Sequence, residues 1–169
     1  MKKIILLFVL AGSIFACTKK EDRAAASTGA NGQNGITIDS SANTDLVRKM
    51  IAAYESGDSA TYRSTYSTDV IFHDNLDSMG IDGNVSMFKV AADKGIKTSV
   101  VVGPVWENQF DKPSAKGYTS YVMSHTTNIY TRGDKTAKNV TFAVDAIKDG
   151  KLVEEWLFYD KAVLAEIFK

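Results

Sequence analysis

Three long segments in the second half of the chain alternate apolar and polar residues, and they limit the fold more than any other feature. They are residues 96–110 (IKTSVVVGPVWENQF), 116–131 (KGYTSYVMSHTTNIYT) and 139–160 (NVTFAVDAIKDGKLVEEWLFYD). A period of two with many Val, Ile, Thr and aromatic residues indicates β-strands. The turn sequence RGDK separates the second segment from the third, and KDGK divides the third in two. The second half is therefore predicted to be a series of antiparallel strands.

The first half has the period of helices instead. Residues 44–58 (TDLVRKMIAAYESGD) place four apolar side chains on one helical face: Val47, Met50, Ile51 and Tyr54. Gly57 is expected to end this helix, and Asp58 to cap a second, short one. Residues 80–95 predict a third helix that ends at Gly95, and residues 161–169 a last amphipathic segment.

Helices followed by antiparallel strands predict an α+β fold with the helices on one face of a curved sheet. The domain is expected to span residues 44–169. Between the helices lies a short apolar strand, Val70 to Phe72, that ends in His73 and Asp74. Adjacent residues of a strand point to opposite faces, so only one of these two side chains can face the interior. They are therefore poorly placed to bind one metal ion together.

The first residues have the pattern of a secretory signal. A basic start, MKK, precedes the apolar residues 4–16 and then Cys17. This apolar stretch is shorter than the roughly 20 residues of a membrane-spanning helix. The segment IFAC resembles a bacterial lipobox, which implies residues 1–16 as a signal peptide and a lipid, such as palmitate, on Cys17. The alternative is an ordinary signal peptide that contains a cysteine.

Residues 17–43 are small, polar and charged, which predicts a flexible tether between the lipid and the domain. Thr18 stands where inner-membrane lipoproteins carry a retention aspartate, so the resemblance implies the outer membrane. Lys20 to Asp22 also resemble a signal for export to the cell surface, although they are equally consistent with a solvated charge run. The protein is thus expected in the cell envelope, facing the periplasm or the exterior.

Composition excludes several classes of site. The 20 basic and 20 acidic side chains give no basic field, so no nucleic-acid partner is expected. The single cysteine rules out an internal disulfide and a cysteine-based metal site. No nucleotide-binding glycine loop is recognisable, and neither a metal nor a cofactor is predicted.

Two segments resemble the nuclear transport factor 2-like superfamily, which includes ketosteroid isomerases, limonene epoxide hydrolases, scytalone dehydratases and SnoaL-like polyketide cyclases. They are residues 54–75 (YESGDSATYRSTYSTDVIFHDN) and 148–160 (KDGKLVEEWLFYD). The resemblance implies a cone-shaped, cystatin-like roll: a bent sheet wrapped around helices, with a pocket at the wide end. Because this fold carries many activities, the resemblance is specific for the fold and not for a reaction.

The resemblance also implies roles for individual residues. Asp74 matches the general base of ketosteroid isomerases, and Tyr54 is offered as a donor to an oxyanion. Asp74 is alternatively a turn-capping residue and Tyr54 a core tyrosine. Ala143 falls nearest the position of the second donor, an acid in the isomerases. Asp145 lies on the same strand face as Ala143, but the neighbouring apolar residues favour an outward Asp145.

Other side chains are candidates for the pocket. His125 shares a strand face with Tyr121, Met123 and Ile129 and is predicted as an acid or base, with a core histidine as the alternative. Five aromatic residues are predicted as ligand contacts, with plain core packing as the alternative: Tyr62, Tyr66, Phe72, Trp106 and Trp156.

Three functions are consistent with these features. The first is an envelope lipoprotein whose pocket binds a small hydrophobic ligand. The second is an isomerase or cyclase that uses Asp74 as base with Tyr54 or His125 assisting. The third is an interaction module that dimerises through its sheet face, which a wide apolar patch there would favour.

Overall fold

The computed structural model describes residues 35–169. Its helices are α1 (Ala42–Ser56), α2 (Ser59–Thr65), α3 (Ile81–Asp93) and α4 (Lys161–Phe168). Its strands are β1 (Gly35–Ile38), β2 (Tyr66–Asp74), β3 (Asp77–Met79), β4 (Lys97–Phe110), β5 (Ser120–Arg132), β6 (Lys135–Lys148) and β7 (Lys151–Phe158). The α+β class predicted from the sequence is confirmed.

The strands form one curved sheet in the order β1-β4-β5-β6-β7-β2-β3. All neighbouring pairs are antiparallel except β2 and β7, which are parallel. Strands β4, β5, β6 and β7 follow one another in chain and in space, as the turn sequences between them predict. The helices cover one face of the sheet, called the inner face below, and the opposite face is called the outer face.

The polar segment before α1 is shorter than the sequence predicted. Gly35–Ile38 pairs with the end of β4, from Glu107 to Phe110. Ser41 then caps α1: its hydroxyl accepts from the Thr44 backbone N–H at 3.0 Å, and its own N–H donates to the Thr44 hydroxyl at 2.8 Å. The predicted tether, residues 17–43, is therefore wrong at its end, because the β-branched GITI sequence finds backbone partners on β4.

Two apolar clusters hold the helices on the inner face. The larger cluster joins α1 and α2 to the sheet and includes Val47, Ile51, Val70, Phe72, Val122 and Leu152. The smaller cluster joins α4 to β5 and to the residue before β4, and it contains Ile96, Tyr130 and Ile167. Gly57 ends α1 with φ of 72°, a left-handed conformation that glycine adopts without strain.

Within residues 35–169, no helix has the length and apolar character needed to cross a bilayer. The predicted signal peptide, the lipid on Cys17 and the sorting residues lie outside the described residues.

Candidate functional site

A cavity of about 700 Å³ opens between the two apolar clusters. Helices α1, α3 and α4 cover it on one side, and the inner face of the sheet on the other. Its apolar and aromatic lining comprises Met50, Ile51, Tyr54, Tyr62, Met79, Met87, Phe88, Ala91, Ile96, Ala143, Leu157, Leu164 and Phe168. Polar side chains enter from the sheet and its ends: Asp74, Ser124, Thr126, Asn128, Tyr130, Thr141, Glu155 and Tyr159. A mainly apolar space with a few convergent polar groups is typical of a small-molecule site.

Two carboxyl groups lie together beneath the cavity. Asp145 on β6 stands directly opposite Glu155 on β7, and the two residues are 0% and 2% exposed. Glu155 lines the cavity, and its Oε2 accepts a hydrogen bond from the Tyr66 hydroxyl at 2.5 Å. The Tyr66 hydroxyl also lies 3.1 Å from that of Tyr62. We call Asp145 and Glu155 the carboxyl pair.

Burial favours the protonated form of the carboxyl pair. Burial raises the pKa of Asp145 well above its ordinary value, and the charge of Glu155 raises it further. Burial also raises the pKa of Glu155, although hydrogen bonds from Tyr66 and Asp145 oppose that shift. Neither oxygen of Asp145 accepts a hydrogen bond from a described residue. A protonated Asp145 that donates to an ionised Glu155 satisfies both groups, and it leaves the negative charge on the residue that faces the cavity.

Asp74 lies at one end of the cavity, which we call its mouth. It follows Phe72 along β2 on the same face and stands opposite Leu157 of β7. The Tyr159 hydroxyl lies beside this carboxylate; burial and then the hydrogen bond to Asp74 raise the pKa of Tyr159. The Lys161 ammonium is 3.8 Å from Asp74 Oδ1, beyond hydrogen-bonding distance, and binds Asp77 at 2.6 Å instead.

Aromatic rings form the wall of the cavity on the helix side. Phe88 of α3 packs against Tyr62 with ring centroids 5.0 Å apart and against Tyr54 at 5.9 Å. The Tyr54 hydroxyl is 2.9 Å from the hydroxyl of Tyr130 across the cavity. Burial, together with the neighbouring Tyr130, raises the pKa of Tyr54 well above its ordinary value. Tyr54 is therefore a neutral hydrogen-bonding group at physiological pH.

On the outer face, Glu154 has several partners. Its Oε1 accepts from His73 Nε2 at 2.8 Å, and its Oε2 accepts from Lys116 Nζ at 2.8 Å and from the Tyr118 hydroxyl. His73 in turn stacks on Trp156 at 5.3 Å. Burial tends to raise the pKa of Glu154, but these hydrogen bonds outweigh it, and the pKa is lowered.

Comparison with solved structures identifies this architecture. An NTF2-like protein of unknown function from Burkholderia pseudomallei aligns with a TM-score of 0.60 at 14% identity, over 77% of this chain and 99% of that one. The chain has the nuclear transport factor 2-like fold. No family model and no curated protein matches the sequence itself.

Two further neighbours with the nuclear transport factor 2-like fold carry the names of enzymes. An LEH-like epoxide hydrolase from M. tuberculosis has a TM-score of 0.57 at 12% identity, over 75% of this chain and 89% of that one. IdmH from Streptomyces antibioticus, a proposed polyketide cyclase, has a TM-score of 0.57 at 14% identity, over 74% and 96%. At these identities the likeness establishes the fold and not the activity.

Three of the predicted site residues line the cavity: Asp74, Tyr54 and Tyr62. Their chemical roles remain predictions. Tyr66 and Phe72 lie in the larger apolar cluster, 4% and 0% exposed, and do not contact the cavity. The prediction that these two bind a ligand directly is therefore wrong, although Tyr66 reaches the site through its bond to Glu155.

The prediction that His125, Trp106 and Trp156 line the pocket is wrong. Each of them alternates with an inward-facing neighbour and so lies on the outer face. His125 is exposed there. Trp106 packs against Phe142, and Trp156 against His73.

The prediction that Asp145 points outward is also wrong. The inward row of β6 is Asn139, Thr141, Ala143, Asp145 and Ile147, all buried. The apolar row that contains Val140, Phe142 and Val144 lies on the outer face, where Val140 is 55% exposed. The usual assumption that the apolar side of a strand faces inward fails here, because the row of β6 that faces the interior carries Asn139, Thr141 and Asp145.

The sequence interpretation missed Glu155. The adjacent acids Glu154 and Glu155 within a predicted strand contain the relevant signal, since one of two consecutive strand residues must point inward. Residues 35–169 contain no cluster of three or more His, Cys, Asp or Glu side chains suited to a metal ion.

Proposed function

We propose that the domain binds a small, largely apolar molecule in the cavity. The observation that carries this proposal is the volume of about 700 Å³, which the side chains of the protein leave open. The apolar lining provides affinity, and Glu155 and Asp74 provide polar contacts that orient the ligand. A fold shared with an epoxide hydrolase and a proposed polyketide cyclase supports a small molecule as the occupant.

Filling the cavity tests this proposal. Ala143 lines it and is 5% exposed, whereas Val140 on the same strand faces outward. We expect Ala143→Phe to lower the occupancy of a co-purified or added apolar ligand at least about tenfold, because the ring takes its place. Val140→Phe is the matched control and should leave occupancy unchanged. Native mass spectrometry of the full-length chain, followed by organic extraction, measures both.

Equal occupancy in the two variants would contradict the proposal. Ala143→Phe could instead disturb packing of the sheet. Ala91→Phe therefore fills the same space from α3, and it should give the same loss of ligand.

Catalysis is a second candidate, favoured by one observation. Asp74 lines the cavity, and its buried Oδ1 has no hydrogen-bond donor among the described residues. A carboxylate placed in this way can accept a proton from a bound molecule. Asp74→Asn should then abolish turnover of a proton-transfer substrate while leaving its binding intact. Loss of binding and turnover together would show that Asp74 only holds the ligand.

A third candidate, self-association, is favoured by the outer face. Val101, Val140, Phe158 and Ile71 are 60%, 55%, 51% and 47% exposed there. Apolar surface of this kind is typical of an interface, and we propose a homodimer through it. Phe158→Asp should shift the molecular mass in sedimentation from two chains to one. A single chain in the unsubstituted protein would contradict this.

We also propose that the protein is an envelope lipoprotein, held at the outer membrane by a lipid on Cys17. The support is the sequence of residues 1–17, with its basic start, apolar stretch and lone cysteine. Labelling with a palmitate analogue should modify the unsubstituted chain and not Cys17→Ser. Equal labelling of both would contradict the anchor.

A further inference from the structure

Glu155 has no positively charged partner among the described residues. Among residues 35–169, the salt bridges of buried or half-buried acids involve Glu154 and Asp74, and none involves Glu155 or Asp145. Buried charges in proteins are usually paired, because an isolated one is expensive to desolvate. The cavity, which Glu155 lines, is the space through which a compensating charge can reach it.

A cluster of three aromatic rings lines the cavity, and one of them, Tyr62, lies near this carboxylate. Burial and then the nearby Glu155 carboxylate raise the pKa of Tyr62. Its ring centroid is 5.0 Å from that of Phe88 and 6.5 Å from that of Tyr54, and all three rings line the cavity. The faces of aromatic rings carry negative potential and attract ammonium groups. We call Tyr54, Tyr62 and Phe88 the aromatic wall.

The rest of the lining adds little positive charge. Lys97 is the one Lys or Arg among the described lining residues, and it is exposed. Glu55 and Asp74 add two further acids. Glu55 accepts a backbone hydrogen bond from Val100 at 2.9 Å, which does not cancel its charge. Of the acids that line the cavity, Asp74 is the one that has a salt bridge to Lys161 within the described residues, at the mouth.

We infer that the ligand is an organic cation, with an ammonium group seated between Glu155 and the aromatic wall and an apolar body along Met50 and Leu157. This inference rests on the proposed binding function and specifies the chemical class of the ligand. A bound ammonium supplies the charge that Glu155 lacks, and the rings replace part of its hydration shell.

A neutral ligand with a carbonyl oxygen is the main competitor. To bind at the carboxyl pair, its oxygen would need a hydrogen-bond donor at that point. Glu155 already accepts from Tyr66 and faces the proton of Asp145, which leaves Glu155 as an acceptor. The cavity surface therefore presents negative charge rather than a donor at this point, and this favours the cation.

A pair of probes of equal shape separates charge from size. Benzyltrimethylammonium and neopentylbenzene differ only in a nitrogen cation against a carbon. Ligand-detected NMR with the full-length chain should show the cation binding at least about tenfold more tightly. Its affinity should rise with pH as the carboxyl pair loses its remaining proton. Tyr62 and Tyr66, the tyrosines beside the pair, stay neutral there, because burial raises the pKa of each.

Variants locate the effect. Glu155→Gln should bring the two dissociation constants within about twofold of each other. Glu154→Gln is the matched control, since it removes a neighbouring buried charge from the outer face, and it should keep the preference. Phe88→Leu should weaken binding of the cation more than that of neopentylbenzene. This variant leaves the carboxyl pair unchanged, so its result does not depend on whether Glu155→Gln disturbs the fold.

The outcomes distinguish the two levels of the proposal. Equal or tighter binding of neopentylbenzene would overturn the organic cation and leave the binding function in place. A preference that survives in Glu155→Gln would overturn the assignment of the site. Failure of both probes and of every added apolar ligand would overturn the binding function as well.

Discussion

Glu154 and Glu155 are consecutive residues of β7, and both are buried. Glu154 lies next to a positively charged group, whereas Glu155 lies next to another acid. Glu154 faces outward and accepts hydrogen bonds from the Lys116 ammonium, the His73 ring and the Tyr118 hydroxyl. Glu155 faces inward and meets the Tyr66 hydroxyl and a second acid, Asp145. Hydrogen bonds lower the pKa of Glu154, whereas burial raises the pKa of Glu155 more than its own hydrogen bonds lower it.

The difference shows how one strand separates two tasks. On the outer face, compensated charge ties β7 to β2 through His73 and to the loop that carries Lys116. On the inner face, charge is left uncompensated next to an open cavity, where it can act on a bound molecule. Strand alternation alone places two identical side chains in these opposite settings.

The largest expected effect is on stability and comes from removing Glu154. Glu154→Leu deprives the Tyr118 hydroxyl, itself 7% exposed, and His73 of their shared acceptor. Leaving a buried donor unsatisfied costs roughly 1–3 kcal/mol, so we expect that loss in the free energy of unfolding. Urea denaturation measures it. A loss below about 0.5 kcal/mol would show that the outer network is not structural.

The pH dependence of stability should separate the two acids next. Native Asp145 holds a proton that the unfolded chain releases above the ordinary aspartate pKa of about 3.9. Its raised pKa therefore makes stability fall as pH rises from there through the native value. The lowered pKa of Glu154 has the opposite consequence: stability falls as pH drops below the ordinary glutamate range through the native value.

Urea titrations across this pH range test the assignment. Asp145→Asn should flatten the fall on the alkaline side, and Glu154→Gln the fall on the acidic side. The reverse pattern, or identical profiles in both variants, would contradict the assignment of the two shifts.

The strand alternation that explains this comparison also limits what the sequence could predict. The order of helices and strands, the hairpins and the α+β class followed from periodicity and turn residues. The inward direction of Asp145 did not, because Val140, Phe142 and Val144 form an apolar row on the face that the helices leave uncovered. The same inversion misplaced His125, Trp106 and Trp156. Because β6 has an apolar outer row and polar residues in its inner row, the side of this strand that faces the interior could not be identified from its polarity alone.

The resemblance predicted Asp74 and Tyr54 at the cavity, because it depended on motif position and not on polarity. Glu155 depends on a contact between β6 and β7 that no local pattern contains. Its partner Tyr66 lies 89 positions away in sequence. Pairings of this kind become visible only when the register of the sheet is known.

The smallest expected effect on stability comes from Asp145→Asn near neutral pH. The amide keeps the shape of the side chain and donates to Glu155 without needing a shared proton. We expect no loss of unfolding free energy above about 1 kcal/mol near neutral pH, and a gain that grows as pH rises, because the amide needs no proton. A loss as large as that of Glu154→Leu would mean that Asp145 is ionised and bound to a partner. Thermal and urea unfolding of the two variants side by side decide this.

We expect the carboxyl pair to hold one proton at neutral pH when no ligand is bound. Infrared difference spectroscopy at neutral pH measures it directly, because protonated carboxyl groups absorb apart from carboxylates. We expect a protonated carboxyl band that is lost in Asp145→Asn and is retained in Glu154→Gln. A spectrum without that band, or a band that survives in Asp145→Asn, would contradict it.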